Sequence, residues 1–240
     1  MMLINASHLD YVALNESIRK TDENCELIGC LGQRYIAAGM AQRSIRIDGV
    51  PGNALGAYLN GATITVYGNA QDAVGDTMND GRIIVHGNVG DAVGYAMRSG
   101  EIFVKGNAGY RAGIHMKEYR DKVPVMVIGG VAGSFLGEYQ AGGKIIVLGL
   151  GRASRPIISN FPCTGMHGGK VYLRSDCRDV LFPDQVTVRS TTDEDLADIF
   201  KYVSEYCNLF GYDVAQVMNA AFTVVTPNSN NPYKQMYVAN

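Results

Sequence analysis

One phrase recurs through the middle of this chain about every nineteen residues, and that period limits the fold more than any other feature. Glycines stand at Gly49, Gly68, Gly87 and Gly106, spaced by 19, and then at Gly129 and Gly149. A second series, Gly56, Gly75, Gly94 and Gly113, keeps step and continues at Gly137. Ahead of each first-series glycine sits a short apolar run: IRID, ITVY, IIVH, IFVK, VMVI and IIVL. A fixed period of this length marks a repeat array, in which each unit buries its apolar face only against its neighbours.

Aligned by column, two residues of each run alternate: Ile45/Ile47, Ile64/Val66, Ile83/Val85, Ile102/Val104, Val125/Val127, Ile145/Val147 and Val171/Leu173. A period of two puts each pair on one face of a strand. Leu59, Met78, Met97 and Met116, again 19 apart, supply a third inward group. No hairpin signal follows the strands in register, so each strand pairs with its equivalent in the next coil. The expected fold is an all-β core, a right-handed single-stranded parallel β-helix of about seven coils, with flanking α-helices at both termini. Asn69, Asn88 and Asn107 fall one per repeat and read as a structural ladder along the axis.

Three segments follow from this pattern. Residues 1–24 read as an N-terminal helical segment, with a helix over 5–20 capped by Asn5 or Ser7. Residues 25–189 form the β-helix, and 190–240 hold C-terminal helices and a tail packing on it. The outward position of each strand runs Arg46, Thr65, Ile84, Phe103, Met126, Ile146, Tyr172. From Ile84 onward this column is apolar, so something must cover it. TTDEDLADIFKYVSEYCNLFG reads as a helix with Thr191 or Thr192 as N-cap and the stripe Leu196, Ile199, Phe200, Val203, Cys207, Phe210. The sequence predicts that this helix lies on the column. A second short helix is expected around 213–221, then an extended tail, TPNSNNPYKQMYV.

The repeat breaks twice, at 114–124 and at 150–168. Insertions in solenoids collect on the binding face. The expected partner interface is therefore His115, Lys117, Glu118, Tyr119 and Arg120 from the first break, with Arg152, Arg155 and His167 from the second.

Composition narrows the function. With 240 residues, a formal net charge of -2 and no basic run, the chain has no electrostatic footprint for nucleic acid. No apolar stretch is long enough to span a bilayer, and the first residues lack a signal peptide's basic and apolar regions. Five cysteines without a C-x-x-C pair read as reduced thiols of a cytoplasmic protein. No phosphate-binding loop occurs, and Gly106–Gly109–Gly113 has the wrong spacing for a dinucleotide fingerprint. His86 reads as a surface residue, and His115 and His167, which could approach each other, carry no metal-ligand pattern beside them. Asp72 and Asp91 are 19 apart but share their column with Asn53, which is turn chemistry rather than a carboxylate pair. No catalytic, cofactor-binding or metal-binding residue emerges.

The stretch GNAQDAVGDTMNDGRIIVHGNVGDAVGYAMRSGEIFVKGNAGYRAGIHMKEY, with LGQRYIAAG before it and GEYQAGGKIIVLGL and GMHGGKVYLR after it, resembles the C-terminal GXGXG β-helix domain of the glutamate synthase large subunit. The likeness covers roughly residues 25–175 and extends to the flanks, including Asn231–Tyr237. Over the repeats alone the chain is also similar to the repeat-bearing subunit of formylmethanofuran dehydrogenase. The glutamate synthase resemblance implies a non-catalytic brace between a glutamine amidotransferase and an FMN and iron–sulfur synthase. With neither an N-terminal catalytic cysteine nor an FMN barrel, the chain reads as a standalone subunit of the split form. FMN and iron–sulfur are then expected in partner subunits and no cofactor in this chain; a homo-oligomer is compatible with it. Against this stand a subunit of another redox complex, such as the formylmethanofuran enzyme, and a β-helix hydrolase or lyase with its site on the insertions.

Overall fold

The computed structural model describes residues 1–229. Short apolar runs separated by glycine turns stack in chain order: β1 (Met2–Asn5), β2 (Cys25–Leu31), β3 (Ser44–Val50), β4 (Asn60–Val66), β5 (Asp80–Val85), β6 (Glu101–Val104), β7 (Val125–Ile128), β8 (Ala141–Val147) and β9 (Gly168–Leu173). Each pairs in parallel with the next, as Ile45↔Ile64 and Ile64↔Ile83 illustrate. The result is an all-β parallel solenoid of about eight turns with few helices. The sequence predicts about seven. Two strands precede the seven aligned runs, which are β3–β9: β2, where the repeat domain is expected to start, and β1, which pairs with β2 through Ile4↔Leu27 although the sequence there reads as the approach to a helix. The helix α1 is shorter than expected, Tyr11–Arg19, and Asp10 rather than Asn5 or Ser7 caps it by accepting from the Ala13 N–H.

The interior holds the stacked Ile/Val pairs and the column Leu59, Met78, Met97, Met116, all buried. One coil departs from the expected alignment. Ile102 pairs with Met126 and Phe103 with Val127, so Met126 faces inward while Val125 and Val127 face outward. The column alignment anchors this strand on Gly129, but Gly130 is the equivalent of Gly106 and its N–H donates to the Gly106 carbonyl at 2.8 Å. A slip of one residue exchanges the two faces of a strand.

The far end closes on β10 (Val186–Ser190) and β11 (Thr223–Pro227), with β11 inserted antiparallel between β9 and β10. Between them run α2 (Asp193–Phe210) and α3 (Val214–Met218). Thr192 and Asp195 form a reciprocal capping box at the start of α2, and Gly211 in the left-handed conformation ends it. Ile199, Val203, Tyr206, Cys207 and Phe210 of α2 pack on Ile84, Phe103, Val127, Ile146 and Tyr172, covering the outward column as expected. Phe200, placed in the stripe by sequence, is exposed, because the spacing 199, 203, 206, 210 turns it aside and gives its place to Tyr206. Residues 230–240, which include most of the expected tail and the Asn231–Tyr237 resemblance, lie outside the described residues.

The turn on the opposite side of each coil has a regular backbone. Ala73, Gly75 and Thr77 all take positive φ, as do Ala92, Gly94 and Ala96 one coil later, and Arg111, Gly113 and His115 after that. A left-handed L-residue costs roughly 1–2 kcal/mol. Hydrogen bonds to the next coil hold it there, such as Ala73 N–H to the Asp91 carbonyl at 2.8 Å. Only the middle position requires glycine, since a Cβ on Gly113 would approach Ile145 Cδ1 to 2.3 Å.

Candidate partner interface

The first insertion follows the inward Met116. His115 lies flat on Tyr139, ring centroids 5.2 Å apart, with Tyr95 edge-on at 5.9 Å. Lys117 continues a column begun by Asn79 and Arg98. Glu118 turns back, its Oε2 accepting from the Gly143 N–H at 2.9 Å. Tyr119 and Lys122 bond backbone to backbone across a tight turn in which Arg120 takes φ 57° and lays its guanidinium over the Tyr119 ring, 5.0 Å from the centroid.

In the second insertion Arg152 donates to the Arg155 carbonyl at 3.0 Å, and Arg155 Nε to the Arg152 carbonyl at 3.4 Å. Each guanidinium therefore stabilises the local loop. Phe161 stacks on Phe135 at 5.2 Å. His167 Nδ1 lies 2.9 Å from the Gly165 carbonyl, and the ring of Tyr139, which carries His115 on its face, covers Gly165. His115 and His167 thus belong to one neighbourhood organised by Tyr139.

Lys117, Glu118 and His167 meet at a cleft of about 540 Å³ shared with Lys170, Thr226 and Pro227. Glu118 also borders a groove of about 780 Å³ that sequence reasoning missed. Its floor is a glycine column, Gly81, Gly100, Gly143 and Gly169, at φ 102°, 85°, 79° and 77°. Its wall is α2, tied down by charge. Arg82 reaches Glu101 at 2.6 Å and Glu205 at 2.7 Å, while Asp198 accepts from Lys144 at 2.5 Å, Tyr172 Oη at 2.8 Å and Lys170 at 3.3 Å. Burial pushes the Asp198 carboxyl up, but Lys144, Tyr172 and Lys170 together hold it below its ordinary value. Burial and the Asp198 hydrogen bond push the Tyr172 phenol far up. A legible signal existed. Asp198 and Glu205 are seven residues apart on one helix face, opposite the strand column Arg82, Glu101, Lys144, Lys170.

These groups fasten the helix to the sheet, and the groove contains no base set against a nucleophile. His86, read as a surface residue, is half-buried between Tyr67 at 5.0 Å and the edge of Phe210 at 5.1 Å. Burial and then Lys105 lower its pKa. Among the described residues no group of three His, Cys, Asp or Glu is placed to hold a metal ion, and no helix is long and apolar enough to cross a membrane.

The family model described as GXGXG motif matches residues 10–230. An uncharacterized protein of Methanocaldococcus jannaschii is 44% identical over 250 residues, covering 98% of this chain and 96% of that protein. A chain of the formyltransferase/hydrolase complex (FhcABCD) from Methylorubrum extorquens, solved with methylofuran, superposes with a TM-score of 0.61 at 18% identity, covering 92% of this chain and 88% of that one. At that identity the likeness is one of fold.

Proposed function

The chain belongs to the GXGXG motif family, and on that footing we propose that it is a non-catalytic structural subunit or domain of a glutamate-synthase-like complex. It braces a glutamine amidotransferase component and an FMN-containing synthase component in glutamate biosynthesis and ammonia assimilation. FMN and iron–sulfur belong to those partners, this chain holds no cofactor, and the complex works in the cytoplasm. The supporting observation is how the faces of the coil are used. Inward faces are filled by Ile, Val and Met, the outer strand face is taken by α2, and the groove's cations are engaged by α2 and Glu101. The surface we assign to partners is the outline of the two insertions, with His115, Lys117, Glu118, Tyr119, Arg120, Arg152, Arg155 and His167.

A second reading has a specific observation in its favour. The fold likeness is to a chain of a formyltransferase/hydrolase complex bound to methylofuran, which supports a subunit role in a complex of the formylmethanofuran dehydrogenase type. Affinity capture from the native host separates the two. Recovery of an FMN protein with an amidotransferase supports the first, and recovery of a molybdenum or tungsten protein supports the second. Turnover of glutamine or a glycan by the purified chain alone would overturn both and favour a β-helix hydrolase or lyase.

A further inference from the structure

We propose that the basic cleft beside the first insertion binds a small organic anion carrying at least two carboxylate or phosphate groups. The cleft measures about 450 Å³ and is lined by Asn79, Arg98, Lys117, Tyr119 and Lys122. Its inner wall follows from the coil register. Asn79, Arg98 and Lys117 each come directly after an inward methionine, and their N–H groups donate to the Leu59, Met78 and Met97 carbonyls at 2.8, 2.9 and 2.9 Å. One position per coil in successive coils stacks three side chains at a spacing of ~4.8 Å. The insertion supplies the outer wall. Tyr119 and Lys122 exchange backbone hydrogen bonds, 3.0 Å in both directions, which sets the two residues side by side against that column.

The charge in this cleft is uncompensated. Among the described residues Arg98, Lys117 and Lys122 enter no ion pair and donate no side-chain hydrogen bond. Elsewhere on the solenoid the cations that line a groove have partners, Arg82 in Glu101 and Glu205, Lys144 and Lys170 in Asp198. The carboxylates adjacent in sequence are turned away, Glu118 to the Gly143 N–H and Asp121 into the larger groove. Like charges bordering one cleft without a counter-charge raise the local potential and attract an anion. Guanidinium and ammonium groups match carboxylate and phosphate oxygens, and the Asn79 amide adds a neutral donor. The volume falls in the ordinary range for organic ligands, roughly 300–1,000 Å³. The Tyr119 ring, with Arg120 over it, offers the ligand's carbon skeleton a flat wall. The assignment does not depend on which complex the chain serves.

Isothermal titration of the full chain at low ionic strength tests it, using citrate, pyrophosphate and a tetra-aspartate peptide as probes. The expected result is saturable binding of one equivalent of citrate or pyrophosphate, the tighter of the two identifying a carboxylate or a phosphate ligand. Lys122→Gln and Arg98→Gln, both at exposed side chains, each weaken it by about tenfold. Neither changes the melting temperature, and Lys20→Gln at the C-cap of α1 leaves binding as it was. Absence of saturable binding by both small anions, or unchanged affinity in the two variants, overturns the proposal. Binding of tetra-aspartate alone also overturns it, in favour of an acidic protein segment.

Discussion

The Tyr206 hydroxyl occupies the space in which a side chain on Gly129 would begin. It donates to the Lys105 carbonyl at 3.0 Å, and a Cβ built on Gly129 would lie 1.8 Å from it. Gly129 needs no left-handed backbone, so the requirement for glycine is one of room, for the Tyr206 ring and hydroxyl and for the Lys105 carbonyl oxygen 2.3 Å from the same point. Gly129→Ala should therefore lift α2 locally and cost about 1–3 kcal/mol, the usual range for overpacking. Tyr206→Phe loses one buried hydrogen bond, about 1 kcal/mol. In the double variant the clash is partly relieved, so the two costs should sum to more than the double loses. Urea titrations of the three variants measure this, and strict additivity would show that the two residues do not compete for one space.

Acid sensitivity should concentrate at the start of α2. Arg189 donates to the Asp195 carboxylate at 2.5 and 3.2 Å, and the Thr192 N–H adds a bond at 2.9 Å. Arg189 first, and Thr192 after it, outweigh burial and hold this carboxyl well below the usual range. A depressed folded-state pKa contributes stability above the unfolded value of about 3.9, and that contribution disappears as pH falls through the folded value. Asp195→Asn should cost about 1–2 kcal/mol at pH 7, discounted because Arg189 is half-exposed. The difference from the parent should shrink steadily below about pH 4. Thermal melts at pH 7, 4 and 3 check the sign. A constant difference across that range would remove Asp195 as the source.

What the sequence made legible depended on whether a position faces one environment or two. The Asn88 and Asn107 column was readable because asparagine, a residue with its own turn signature, recurs there once per period: Asn88 Oδ1 accepts from the Asn107 N–H at 2.8 Å, and Asn107 Oδ1 from the Val131 N–H at 3.0 Å. The register of VPVMVIGG was not. β7 is covered by core on one side and by α2 on the other, and a strand buried on both faces reads as a continuous apolar run without alternation. The doubled Gly129–Gly130 then offers two alignments. The left-handed alanines were hidden because alanine carries no turn signature, and the inter-coil hydrogen bonds that hold them are non-local. Of the surfaces, the insertions were visible as breaks in period. The glycine-floored groove required knowing that Asp198 of α2 faces Lys144 and Lys170 of the sheet.

The thiols should be silent in the folded protein. Cys25, Cys30, Cys163, Cys177 and Cys207 are free and buried. Burial pushes Cys163 up to about 12, and burial with Asp48 pushes Cys30 up to about 11. Thiolate is the reactive form, so an aromatic disulfide reagent at pH 8 should label no cysteine within minutes and all five after denaturation. Prompt labelling of a native thiol would reveal local opening at that coil.

Partner binding and anion binding meet at one residue and can be separated there. Lys117 lines the cleft of about 540 Å³ with Glu118 and His167, and also the basic cleft of about 450 Å³ with Arg98 and Lys122. Its side chain is exposed, so Lys117→Glu should leave the melting temperature unchanged. Glu118→Lys, by contrast, gives up the carboxylate that accepts from the Gly143 N–H and should cost about 1 kcal/mol of stability. If the insertion is a partner contact, each reversal should weaken capture of the partner chain by about fivefold, roughly 1 kcal/mol. Lys122→Gln should leave that capture intact while weakening citrate or pyrophosphate. Surface plasmon resonance with the recovered partner reads the first effect and calorimetry the second. Unaltered capture by both reversals would move the interface away from 114–124 and leave Arg152, Arg155 and the Phe135–Phe161 stack as the surface to test next.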